Sequence, residues 1–400
     1  MRAIIIGNGV AGVTAARRLR ELDPDAGIVV FAREPYHYYY KPRLPEVVAG
    51  AIDVEATIIN PPEWYEERRL DVRLSTPVAG IDTASRRVEL EDGGSEPYDS
   101  LIVATGAEPF VPPIPGADLP GVHTLRTADD AVTLREAAKR AERAVVIGGG
   151  LLGLESARGL AASKVDVVAL EVADRLLPRQ LDRRGAELLR KRIAELGIAV
   201  RTDAVTTSIE EGETGLIVNL ESGDSLPADI VLVSTGIRSS LGVVAGSGID
   251  TNRGVVVGCA MRTSAPDVYA AGDVAELDGR VWGIIPATTV MAEAAARGIE
   301  GEESSCAIVG TNTLKISEVD VYSAGDVFCE DCDALENEED GVYRKVLTRS
   351  GRIVGAIVVG SRRGTRELDK LILAEADVAR YGDAIAREDF EFAEALESMA

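Results

Sequence analysis

The chain is short of cysteine, histidine and positive charge, and it has no long apolar run. Four cysteines in 400 residues (Cys259, Cys306, Cys329, Cys332) are too few for the disulfide framework of a secreted scaffold. No apolar stretch approaches the roughly 20 residues that a bilayer span needs. The N-terminus enters strand-like sequence at once, without the pattern of a signal peptide. These absences point to a cytoplasmic protein. The net charge of −23 argues against a nucleic-acid partner, because phosphate backbones repel a polyanion. Four hundred residues exceed one core, so two or three domains are expected.

What the chain does have is one device twice over. Ala3-Ile4-Ile5-Ile6 runs into Gly7-Asn8-Gly9-Val10-Ala11-Gly12, and Ala144-Val145-Val146-Ile147 runs into Gly148-Gly149-Gly150-Leu151-Leu152-Gly153. Each is an apolar strand, a GxGxxG turn and a helix start. The first glycine permits the tight turn, the second lets a pyrophosphate reach the backbone, and the third lets the helix pack close to the strand. The helix N-terminus then offers unpaired N–H groups to the phosphates. Such a site also needs an acid about 20 residues on, for the ribose hydroxyls. Glu34 follows the strand Ile28–Phe31, and Glu171 follows Val165–Leu170. Each unit later has a strand closing in Thr-Gly, at Thr105-Gly106 and Thr235-Gly236. The pattern implies an α/β protein holding two dinucleotides in Rossmann-like domains.

Residues 1–110 form the first unit and 117–238 the second, joined by the proline-rich stretch 109–116. A further strand signal, Val268-Tyr269-Ala270-Ala271-Gly272-Asp273, precedes a helix-like run from Ala287 to Arg297. Beyond Cys306 the character changes. An acidic loop is expected over Cys329–Gly341, then a hairpin turning at Ser350-Gly351, and a helix over 365–376. The tail, 388–400, is helical or frayed.

The segment ending in Ala271-Gly272-Asp273, with the first GxGxxG and Ala104-Thr105-Gly106, resembles the pyridine nucleotide-disulfide oxidoreductases over residues 1 to about 300. The resemblance implies an FAD domain made of 1–110 and 240–305, an NADH domain of 111–239 inserted in it, and a small α+β C-terminal domain of 306–400. Gly7, Gly9, Gly12, Arg33, Glu34, Lys41, Thr105, Gly106 and Asp273 would then hold FAD. Gly148, Gly150, Gly153, Glu155, Glu171 and Gly236 would hold NADH. The disulfide reductases of the class carry cysteines beside the flavin, yet the corresponding segment Tyr38-Tyr39-Tyr40-Lys41-Pro42-Arg43-Leu44-Pro45-Glu46 has none. Thiol–disulfide chemistry at the flavin is therefore not expected. The segment looks instead like that of the rubredoxin and ferredoxin reductases and the flavin part of assimilatory nitrite reductase, with Lys41 in place of an arginine. Leu177–Asp182 and Trp64–Glu67 support this branch. Ferredoxin-reducing relatives often carry lysine where Glu46 stands, which leaves Lys41 and Arg43 as the available cations.

The resemblance implies hydride transfer from NADH to FAD, with Glu155, Lys41 and Arg43 at the reacting end. Electrons then pass to a small iron or iron–sulfur protein such as rubredoxin or ferredoxin, in either direction, from a homodimer or larger complex. The alternatives are an NADH oxidase reducing oxygen or peroxide, and a flavin-bearing subunit of a larger complex. Glu171 would repel a 2′-phosphate and so favour NADH over NADPH. An acidic partner needs a basic patch, for which Lys41 with Arg43, and Ser361–Arg366, are the candidates. Cys329-Glu330-Asp331-Cys332 reads as a loop with two free thiols, or more sharply as a redox pair or half a metal site. A four-ligand site needs two more ligands, and His37 and His123 lie in other domains. No metal is expected.

Overall fold

The strand Arg2–Ile6 is buried over nearly its whole length, as a parallel strand covered on both faces must be. In the computed structural model, which describes residues 1–302, 308–316 and 319–397, this strand is central to a five-stranded sheet. The order is 268–270, 100–103, 2–6, 27–31, 70–73. All pairs are parallel, with Ile4 beside Val29 and Leu101. The first strand has the second and fourth as its neighbours, which is the doubly wound order of a dinucleotide-binding fold.

A second sheet repeats this arrangement. Its order is 199–201, 166–170, 143–147, 230–233, 122–123, with Val145 between Val168 and Val231. In each copy the chain passes from the third strand to the fourth through an antiparallel three-stranded meander, 78–82/87–90/95–97 in one and 206–211/216–220/225–228 in the other.

The chain divides into two units. The first comprises Met1–Tyr40, Thr57–Glu108 and Ile237–Ile308 and contains the first sheet. Helix Ile285–Ile299 packs there beside helix Val10–Leu22, with Arg17 3.1 Å from Glu293. The second comprises Lys41–Ala56, Pro109–Gly236 and Val309–Ala400 and contains the second sheet and a C-terminal sheet.

The C-terminal sheet is antiparallel, in the order 311–316, 319–325, 352–359, 342–349, 333–339. The hairpin turns at Ser350 and Gly351, both with positive φ (51° and 79°), as a two-residue turn matched to strand twist requires. The acidic stretch is not a loop throughout: Asp333–Glu339 is an edge strand paired with Val342–Arg349. Acidic residues are poor strand formers, but on an edge their charge blocks pairing with other chains, and Glu336 meets Lys345 across the pair at 2.9 Å. The helix after the hairpin is Thr365–Leu373, ending before Glu375, whose φ is 46°. In the tail, Ala393–Glu397 is helical, and Phe392 and Ala395 pack into the C-terminal core; 398–400 lie outside the described residues. Among the described residues no helix is long and apolar enough to cross a membrane.

Asp182 ties this sheet to helix Arg183–Glu195. It caps the helix through Gly185 N–H (2.9 Å) and accepts from Tyr343 Oη (2.7 Å) and Lys345 Nζ (3.1 Å). Burial alone would raise the Asp182 carboxyl. The donors from Gly185, Tyr343 and Lys345 outweigh it, so the group titrates below its ordinary range. Asp182→Ala should cost about 2–4 kcal/mol by removing a cap and half of a mostly buried ion pair, and Tyr343→Phe about 1 kcal/mol, both read by urea unfolding. A lowered folded-state pKa makes this contribution complete above the unfolded value of about 3.9 and lost as pH falls through the folded one. Asp182→Asn should therefore flatten the acid limb of the stability profile; an unchanged limb would contradict the assignment.

Candidate functional site

The two glycine loops have nearly the same geometry. Gly7 has φ +118°, and a Cβ there would stand 2.2 Å from Ala104 O; Gly148 has φ +122°, and a Cβ would stand 2.2 Å from Ser234 O. A Cβ at Gly12 would meet Gly7 O at 1.9 Å, and one at Gly153 would meet Gly148 O at 2.0 Å. Only glycine fits at these four positions. A Cβ at Gly9 or at Gly150 would meet nothing within 4 Å. These two residues cap helices Val10–Leu22 and Leu151–Ala162, and neither helix start has a side-chain cap on its first-turn N–H groups.

The first loop has a second polar feature. Tyr65, 2% exposed, donates from Oη to Asn8 Oδ1 (2.9 Å) and accepts from Tyr38 N–H (3.1 Å). Asn8 Nδ2 is then buried with no hydrogen-bond partner. An orphaned amide donor, uncapped helix N–H groups and open space above Gly9 suit an anionic group such as a pyrophosphate. Burial raises the Tyr65 hydroxyl, and burial with Tyr40 and Tyr65 nearby pushes Tyr38 up to about 12, so both stay protonated.

In the first unit, Glu34 accepts from Tyr39 Oη, whose ring is buried. Arg33 is exposed, 3.9 Å from Glu108. The turn carrying Asp273 passes over the start of helix Val10–Leu22: a Cβ at Gly272 would be 3.0 Å from Ala11 Cβ. Asp273 O accepts from Ser239 Oγ (2.7 Å). Thr105 donates to Ser240 O (2.9 Å), and Gly106 O accepts Ser240 N–H (3.0 Å). In the second unit Thr235 donates to Phe110 O (2.6 Å), and Gly236 O accepts Phe110 N–H (2.9 Å). Both Thr-Gly pairs thus hold the main chain.

Glu171, 7% exposed, accepts Gly149 N–H through one carboxylate oxygen and Ala173 N–H through the other, each at 2.9 Å. Arg175 is turned into its own loop, bonding Leu181 O (3.2 Å), Pro178 O (3.2 Å) and Asp174 (2.8 Å). Glu155 is buried on the helix that follows the second loop. The segment Lys41–Val48 belongs to this same unit, since a Cβ at Gly159 on that helix would be 2.7 Å from Pro45 O. Lys41 Nζ donates to Arg126 O (3.2 Å). Arg43 pairs with Glu46 (2.9 Å) and donates to Ala56 O (2.7 Å).

Two expectations are corrected. The candidate basic patches are offset by acids of the same unit: Arg43 by Glu46, Arg362 by Asp320 and Arg363 by Glu391 (2.8 Å), while Ser361 donates to Glu388 (2.6 Å). In so acidic a chain most arginines find an internal carboxylate. The thiols of Cys329 and Cys332 are not free either, because the two residues form a disulfide; Cys259 is also disulfide-bonded, and Cys306 lies outside the described residues. Tyr65 and Asn8 were not singled out from sequence as site residues. The signal for Asn8 was its place between the glycines.

Residues 1–296 match the family described as pyridine nucleotide-disulphide oxidoreductase, and 311–376 match the rubredoxin NAD+ reductase C-terminal domain. The chain belongs to the pyridine nucleotide-disulphide oxidoreductase family, which implies use of a flavin and NAD(P)H. Nitrite reductase [NAD(P)H] of Bacillus subtilis is 36% identical over 383 residues, 94% of this chain and 48% of that protein. NADH oxidase of Methanocaldococcus jannaschii is 30% identical over 407 residues, 94% of this chain and 91% of that protein. The crystal structure of NADH:rubredoxin oxidoreductase from Clostridium acetobutylicum matches with a TM-score of 0.77 at 26% identity, covering 100% of this chain and 99% of that one. The chain spans about half the length of the first curated relatives it matches.

Thermal melts of ligand-free protein should separate the glycines. Gly12→Ala and Gly153→Ala force a backbone shift and should cost about 3 kcal/mol or more, whereas Gly9→Ala and Gly150→Ala should stay within about 1 kcal/mol. Equal losses at all four positions would contradict the open-cradle reading.

Proposed function

We propose that the chain is an FAD-dependent NADH oxidoreductase that passes electrons from NADH through FAD to a small redox protein such as rubredoxin or ferredoxin. The observation that carries the reading is the pair of matching glycine cradles, each closed to a Cβ at its first and third glycines and open at Gly9 and Gly150. We assign FAD to residues 1–110 with 240–305, of which Lys41–Ala56 groups with the second unit, and NADH to 111–239, with 306–400 as a C-terminal domain.

Gly7, Gly9 and Gly12, with the Asn8 amide, receive the FAD pyrophosphate. Glu34, with Arg33 beside it, orients the adenosine end, and Thr105, Gly106 and Asp273 set the turns around the rest. Gly148, Gly150 and Gly153 receive the NADH pyrophosphate, Gly236 shapes the wall of that site, and Glu171 faces the adenosine ribose. When bound, the two nucleotides supply hydride transfer. Glu155, Lys41 and Arg43 position the reacting ends, with Lys41 supplying the positive charge because Glu46 offsets that of Arg43. The absence of cysteine from 38–46 removes a thiol acceptor, so electrons leave to a protein or to oxygen. The NADH oxidase relative favours oxygen as the second reading, and the length of the nitrite reductase relatives favours a flavin-bearing part of a larger assembly. A cytoplasmic setting fits either.

NADH turnover measured with oxygen alone and with added rubredoxin or ferredoxin decides between acceptors. The reading expects oxygen to support only a small fraction of the rate; a full rate on oxygen would overturn it. Glu171→Gln removes one negative charge, worth about 1 kcal/mol of repulsion toward a 2′-phosphate in a largely solvent-screened site. It should therefore shift the NADPH-to-NADH ratio of kcat/KM about fivefold toward NADPH. An unchanged ratio would sink the assignment of Glu171.

A further inference from the structure

The feature that the electron-transfer reading leaves unused is the disulfide between Cys329 and Cys332. It sits in the connection that leaves strand Val319–Gly325 and crosses to the edge strand Asp333–Glu339. Both cysteines are partly exposed, flanked by exposed Phe328, Glu330, Asp331 and Asp333. A bond spanning a sequence separation of only 3 closes a very small loop. Such a loop removes little freedom from the unfolded chain, so the bond is poorly suited to be a staple. The two sulfurs are also chemically unequal. Arg349, at the end of strand Val342–Arg349, donates from Nη2 to Cys329 Sγ (3.2 Å) and to Asp331 Oδ1 (2.9 Å), with Asp326 3.9 Å away. Asp331 Oδ1 lies 3.2 Å from Cys329 Sγ and opposes negative charge there, but its own charge is matched by the same guanidinium. Arg349 is half exposed.

We propose that Cys329–Cys332 is a thiol–disulfide exchange site for small thiols, with Cys329 as the leaving sulfur and Arg349 as its positioning residue. An incoming thiolate attacks Cys332 Sγ. The Cys329–Cys332 bond breaks, a mixed disulfide forms on Cys332, and Cys329 departs as a thiolate held by Arg349. A second thiolate attacks the small-molecule sulfur of that mixed disulfide and releases Cys332 as a thiolate, which takes a proton from water. Two thiols are oxidised to one disulfide, and the protein pair is reduced to the dithiol. The direction of attack follows from the leaving group, since the better-stabilised thiolate departs faster. This site is independent of the flavin reading and lies apart in sequence from every residue assigned to it.

The test uses the folded 400-residue chain with 2-mercaptoethanol and 2-hydroxyethyl disulfide as probes, read by intact mass and thiol alkylation. Opening should occur without unfolding, reverse with the disulfide probe, and slow about threefold or more in Arg349→Ala, with rescue in Arg349→Lys. Cys329→Ser should accumulate the probe as a mixed disulfide on Cys332. Three results would overturn the proposal: a bond that opens only on denaturation, an opening rate indifferent to Arg349, or an opened pair that takes up stoichiometric zinc instead of reoxidising. Circular dichroism of the variants confirms that the fold is retained.

Discussion

The contact on which the structure depends is the close approach of a helix to the carbonyl of a loop glycine. Gly12 lies so near Gly7 O, and Gly7 so near Ala104 O, that strand, helix and neighbouring strand are locked with no room for a methyl group. Between these crowded glycines, Gly9 has room for a Cβ, and the helix it starts has no side-chain cap. Gly148, Gly153 and Ser234 repeat the arrangement to within a few tenths of an ångström. Tight packing on one side and vacancy on the other are one geometric solution, and the chain uses it twice.

Around each loop, side chains act mainly by bracing. Tyr65 anchors the Asn8 amide by its oxygen and so leaves the nitrogen unmatched. Glu171 grips Gly149 and Ala173. Thr105 and Thr235 hold the segments through which the chain leaves one unit and enters the other. Local rigidity of this sort lets a site meet a ligand without reorganising, which is where affinity is commonly lost.

The two glycine loops were legible in the sequence because their spacing follows from strand and helix geometry, and the structure gives them the close approaches that spacing implies. The antiparallel meanders were not, being strands of three to six residues with weak alternation. The strand Asp333–Glu339 was hidden because its acids suit an exposed edge and not a buried face. Asp182 was quoted only as the end of a segment. Its role as cap, acceptor and ion-pair partner depends on Tyr343 and Lys345, which lie more than 160 residues away in sequence. The pairing of the basic candidates with acids was invisible for the same reason: charge balance is set by neighbours in space.

Glu171 carries a consequence for how such a protein can change. Its carboxylate shapes the loop through Gly149, and on the proposed assignment the same carboxylate would face the sugar of a bound nucleotide. A lineage that discards the acid to admit a phosphorylated nucleotide also removes a strut from the second cradle. Nucleotide preference and loop integrity are therefore inherited together, and a change of preference has to be accompanied by a replacement acceptor for those two N–H groups.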